Sequence, residues 1–168
     1  MQLQISEREV KRAQLPHNLF LTGLFVFNLL MIPAVILLNT GIPGLLIPLS
    51  CSGAMIAYLY LRSKKITCWF VDVHWLLAFR NSRWLMLGYA VTAVLIFIAW
   101  LISLTAQEAS MAHILWTALT RIALLPTLIA VMVTAVAEAS AISLASKREV
   151  PDKLAALFPP PAGISPEQ

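Results

Sequence analysis

The chain predicts an all-α, polytopic membrane protein: four transmembrane helices arranged as two hairpins, with a cytosolic, interfacial amphipathic helix between the second and third. Three observations lead there. Sixty per cent of the 168 residues are hydrophobic and only 12% are charged, about half the charged share of a soluble domain. The apolar residues gather into four stretches, and since a span needs about 20 predominantly apolar residues, four of them use most of the chain. The basic residues, finally, avoid every second connection between those stretches.

Residues 1–17 read as a polar cytosolic arm. Ser6 followed by Glu9 matches the S-x-x-E capping box, which predicts a short surface helix ending before Pro16, with Arg8, Lys11 and Arg12 facing anionic lipid headgroups. The apolar run that follows has the length of a span and no small-residue cleavage pattern, so the arm is expected to be retained and not removed as a signal peptide. The first span covers residues 18–38 and carries Asn28 and Pro33, which a spanning helix tolerates where neighbours satisfy the freed groups. Asn39-Thr40-Gly41-Ile42-Pro43-Gly44 is a tight uncharged turn leading into the second span, residues 45–61. There Pro48 falls in the first turn, and Gly53 with Ala57 forms a small-x-x-x-small pair suited to close helix approach.

Residues 66–84 (ITCWFVDVHWLLAFRNSRW) mix Asp72, His74, Arg80, Asn81 and Arg83 with three tryptophans and two phenylalanines. At about 100° per residue, Ile66, Trp69, Phe70, Val73, Leu76, Leu77 and Trp84 share one face, the pattern of a helix lying in the membrane interface. A second, narrower stripe of Val71, Trp75 and Phe79 runs along the opposite side. A helix resting on lipid alone has no use for it, so these three residues are expected to contact a protein partner. The third span is residues 85–104, and the connection 105–111 has Glu108 as its charge. The fourth span, residues 112–146, contains Arg121, Pro126 and Glu138. The tail, 147–168, has a brief helical patch at 152–158 and then FPPPAGISPEQ, whose prolines exclude helix and favour an extended or disordered chain.

Of the twelve Lys and Arg residues, three precede the first span, five lie between the second and third, three follow the fourth, and the last is Arg121. The positive-inside rule then places both termini and the amphipathic helix on the cytosolic side of a bacterial inner membrane. The pI of about 9.4 is explained by this flanking charge and does not indicate nucleic acid. Cys51 and Cys68 have neither metal-ligand spacing nor a disulfide framework.

The candidate sites are few. Arg121 lies eight residues beyond His113, about 12 Å into the helix at 1.5 Å per residue. An ionisable group at such depth marks a functional pathway or a buried contact. Glu138 is seventeen residues further on, about 25 Å away, so the two cannot pair within one helix, and the counter-charge for Arg121 is expected from a lipid headgroup or another subunit. Glu138 sits in a run of small residues suited to helix packing. His17 and His74 share a depth at the polar edge, and two histidines at one depth on facing helices are what a membrane haem requires. His113 with Trp116 reads as an interfacial anchor at the other side. No span holds a nucleophile with its base, a phosphate-cradling glycine loop or a catalytic carboxylate pair.

These readings lead to a non-enzymatic inner-membrane subunit that scaffolds or anchors a larger bacterial assembly for secretion, conjugation, transport or respiration. Its expected contacts are Arg121, Val71, Trp75, Phe79 and Glu138, with no metal and no resident cofactor. Two alternatives are a redox-complex anchor binding quinone or haem through His17 and His74, and a homo-oligomeric channel or small transporter.

Overall fold

The structure, a computed structural model, describes residues 5–38, 41–65 and 67–161. Asn39 and Thr40 of the expected turn, Ile66 of the broad apolar stripe, and residues 162–168 of the proline-rich tail lie outside the described residues. Those described form helices and no strand: α1 (Glu7–Gly23), a π-helical stretch (Leu24–Met31), α2 (Ile32–Leu37), α3 (Gly41–Ser63), α4 (Trp69–Ser103), α5 (Ala109–Ala123), α6 (Leu125–Ser146) and α7 (Asp152–Leu157). Among them are four helical stretches long and apolar enough to cross a membrane: Glu7–Leu37, Pro43–Ser63, Trp69–Ser103 and Ala109–Ser146. The chain packs as two compact units, one of Met1–Ser82 with Ala135–Gln168 and one of Arg83–Thr134.

In the first unit α1 opens on the capping box: Ser6 Oγ accepts from Glu9 N, and Glu9 Oε2 accepts from Ser6 N at 3.1 Å. The helix does not stop at Pro16 as the sequence suggests. It runs through to Gly23, because Ala13, Pro16, His17 and Phe20 are all buried on one side of it. Their packing offsets the hydrogen bond lost at the proline and its local clash, about 3 kcal/mol. The widened stretch Leu24–Met31 leads directly into the turn holding Pro33, and such local widening is one way a spanning helix absorbs a proline. Gly23 lies against Met55 of α3, so closely that a side chain there would overlap the thioether. Nearby, Asn28 Nδ2 donates to Ser52 Oγ at 3.3 Å.

Residues 69–84 do not form a separate helix. They form the first half of α4, which continues without a break to Ser103, since neither glycine nor proline interrupts 69–87. The two apolar stripes face protein on both sides. Phe70 and Val73, with Trp69, Leu76 and Leu77, pack into a core with Ile5, Val10 and Ala13 before and within α1, Ala145 at the end of α6, and Val150 and Leu154. On the other side Val71 is 4% and Trp75 2% exposed. The Trp75 ring meets Tyr58 of α3 edge-on at 5.7 Å and lies under the Arg62 guanidinium at 5.2 Å, while Phe79 packs on Tyr60 at 5.1 Å. Asp72 accepts from Thr67 N at 2.6 Å and Thr67 Oγ1 at 2.7 Å, closing the start of α4.

Helix α6 ends in a left-handed residue, Arg148 (φ 58°). Glu149 N donates to Leu144 O at 2.9 Å and Arg148 N to Ala145 O at 3.2 Å, the paired bonds of a Schellman ending, a place usually held by glycine. Arg148 also reaches Glu7 at 2.7 Å. The chain then turns into α7, where Leu154 enters the shared core and Trp69 Nε1 donates to Phe158 O at 2.9 Å. The helical patch read at 152–158 is therefore docked.

In the second unit the final apolar stretch breaks at Leu124, between α5 and α6. Pro126, in the first turn of α6, has no N–H for the regular bond back to Ile122. Opposite the break, Gly88 of α4 has no room for a side chain: a Cβ there would overlap Ala130 and lie 3.2 Å from Pro126 O. Thr92 and Thr127 hydroxyls hydrogen-bond at 2.8 Å across the same pair of helices.

Candidate functional site

Arg62, Lys64 and Lys65 mark the basic end of α3, and in the first unit four polar side chains from three other helices converge near this level. His17 comes from α1. His74 and Asn81, seven residues or two turns apart on α4, fall on a common side. Glu138 lies on the α6 stripe that includes Ala141 and Ala145, all three buried. Small residues along that stripe allow the close approach that a linked set of short contacts requires.

The geometry is a chain of hydrogen bonds. Asn81 Nδ2 donates to Glu138 Oε1 at 2.8 Å. Glu138 Oε2 is 2.6 Å from His17 Nδ1, and His17 Nε2 is 3.0 Å from His74 Nδ1. His17, His74 and Glu138 are each 0% exposed. The two imidazoles meet edge to face with centroids 5.3 Å apart, and Phe70 closes on His74 at 4.8 Å. One buried nitrogen at the end of the chain, His74 Nε2, has no hydrogen-bond partner of good geometry among the described residues, although the Glu149 main chain is placed as an acceptor for a proton on the ring. Among the described residues no three His, Cys, Asp or Glu side chains converge as a metal site would require.

A haem does not fit His17 and His74 as they are packed. A metal–imidazole bond is about 2 Å, so two axial imidazoles on one iron stand about 4 Å apart with a planar macrocycle between them. Here the two nitrogens share a hydrogen bond at 3.0 Å, and Phe70 packs on the His74 ring.

The remaining candidates separate clearly. Glu138 is engaged through both carboxylate oxygens inside its own chain, Val71 is buried and Trp75 is covered by α3, so none of the three presents a free surface. Phe79 is half-buried against Tyr60. Arg121 is exposed in the last turn of α5, where a cation complements the negative end of the helix, and among the described residues its side chain has no hydrogen bond or ion pair. Gly53 faces open space, with nothing of this chain within 4 Å of where a side chain would begin.

Outside the spans, Cys68 donates to Glu9 Oε1 at 2.9 Å. Burial pushes its thiol above the ordinary range and the Glu9 carboxylate adds to the effect. The sequence offered the His17–Glu138 contact only one signal, a histidine at the start of the first span and a carboxylate near the end of the fourth, both toward basic flanks, and it offered Asn81 none. In comparisons with protein families, with characterised proteins and with solved structures, no match was found.

Proposed function

We propose that this is a non-enzymatic, multi-pass subunit of a larger membrane assembly, two helical hairpins in a bacterial inner membrane with both termini cytosolic. The observation that carries it is Arg121: an exposed arginine within an apolar stretch, in a chain whose buried carboxylate is already engaged by His17 and Asn81. Such a charge calls for a counter-charge outside the chain, and a neighbouring subunit's carboxylate supplies it. The topology is supported by the spread of basic residues and by the core that the start of α1 shares with the end of α6 and α7.

The test is a photo-crosslinking residue at position 121 in the full chain, with Arg121→Gln as companion. A protein adduct, together with loss of the assembly in Arg121→Gln after mild solubilisation, is the expected result. Adducts to lipid alone, with the variant's assembly unchanged, would overturn the reading.

A further inference from the structure

The structure points to a function for the buried chain at the basic end: we propose that His74, His17 and Glu138 form a binding site for one exchangeable proton, loaded at His74 Nε2 and held against Glu138.

The argument is a count of donors and acceptors. An ionised carboxylate only accepts, and a neutral imidazole has one donor and one acceptor nitrogen. With Glu138 ionised, His17 must carry its proton on Nδ1 to meet Oε2. Its Nε2 is then an acceptor, and His74 donates from Nδ1 across the 3.0 Å contact. That leaves a bare, buried lone pair on His74 Nε2, which among the described residues has no well-aligned hydrogen-bond partner and faces the Glu149 main chain, an acceptor that favours a proton on the ring. In this state the buried set carries one net negative charge.

One added proton changes the count without moving a heavy atom. It binds His74 Nε2, the proton on His74 Nδ1 passes to His17 Nε2, and His17 becomes an imidazolium donating to both Glu138 and His74. One proton enters from solvent, one hydrogen bond reverses direction, and the net charge goes from minus one to zero. Burying an isolated charge is far more costly than burying a pair, so the loaded state holds α1, α4 and α6 together and the unloaded state loosens them.

Several charges on the packed elements are engaged elsewhere or exposed. On α3, Arg62 is committed to Asp72 at 3.9 Å and to the Trp75 ring. Arg80 on α4 is exposed. Near the end of α6, Ser146 is bonded to Gln14 of α1, Arg148 is paired with Glu7, and α7 contributes Leu154 to the apolar core. Glu149 adds its main chain near His74.

The experiment is nitrogen NMR of the histidine-labelled full chain in lipid nanodiscs, followed from roughly pH 5 to pH 9, with exposed His113 as the internal reference. The His17 and His74 rings are expected to change together at one midpoint, separately from His113. Glu138→Gln removes the charge that holds the proton and should weaken its binding about tenfold or more, lowering the midpoint by a pH unit or more. Asn81→Leu removes a donor that steadies the bare carboxylate and should raise it. Opposite shifts are the signature, and the wild-type titration stands even if one variant fails to insert. A single fixed tautomer on both rings across the range, two independent midpoints, or a midpoint indifferent to both substitutions would overturn the proposal.

Discussion

Replacing Glu138 with alanine should be among the costliest single truncations in the first unit. Its side chain is fully buried and makes two bonds, to His17 Nδ1 at 2.6 Å and from Asn81 Nδ2 at 2.8 Å. Removing one member of a buried charged pair costs about 3–5 kcal/mol, because the partner is left unpaired. In Glu138→Gln one amide oxygen still accepts from one neighbour, so the loss is confined to a single strained or missing bond, about 1–3 kcal/mol. The measurement is reversible unfolding of the reconstituted full chain in mixed micelles of increasing denaturing detergent, read by circular dichroism. A cycle with His17→Ala isolates the pair, with an expected coupling of about 0.5–3 kcal/mol. If Glu138→Ala lost less than about 1 kcal/mol, or if the two substitutions were additive, Glu138 would be solvated in the membrane-embedded protein and the packing argument would fail.

Three further outcomes follow from the packing. Gly88→Val should destabilise the second unit by about 1–3 kcal/mol, because its neighbours there are Ala130 and the main chain of Pro126 and Thr127, which cannot swing aside. Gly53→Val, on a position open in this chain, should leave the monomer's unfolding unchanged, so a loss of assembly in that variant would locate a helix contact with another subunit. Trp75→Ala should cost about 3–5 kcal/mol in the isolated chain, since the ring packs on Tyr58 beneath Arg62; unchanged unfolding with a broken assembly would instead restore it to a partner surface. Cys68 should alkylate more slowly than a free thiol at neutral pH and speed up as pH rises, because its raised value leaves little thiolate. Glu9→Gln should accelerate the reaction, and an unchanged or slower rate would count against the Glu9 contact.

The helices were largely legible in the residues. Long apolar runs with basic flanks yield helices long enough to span, and Ser6 with Glu9 yields the cap, since each is a local consequence of chain chemistry. Pro16 misleads for the reason that these succeed: it speaks for one turn of backbone, and the burial of Ala13, His17 and Phe20 outweighs it. Residues 69–84 show the same limit in another form. Their two apolar stripes state that two faces are covered, but periodicity carries no information about whether lipid, another protein or the chain's own α1, α3 and α7 does the covering.

By itself, then, the sequence determined that the chain is helical, where four helices have the length and apolarity to cross a membrane, and that Arg121 has no acid within reach on its own helix. Only the tertiary structure decided that Glu138 meets His17 across 121 positions and that His17 meets His74 across 57. Hydrogen bonds of this kind depend on the rotation and depth of three separate helices to within an ångström, and those are set by the packing of small residues and rings between them. The same packing turned three residues that look unremarkable one at a time into a buried chain with a single open nitrogen.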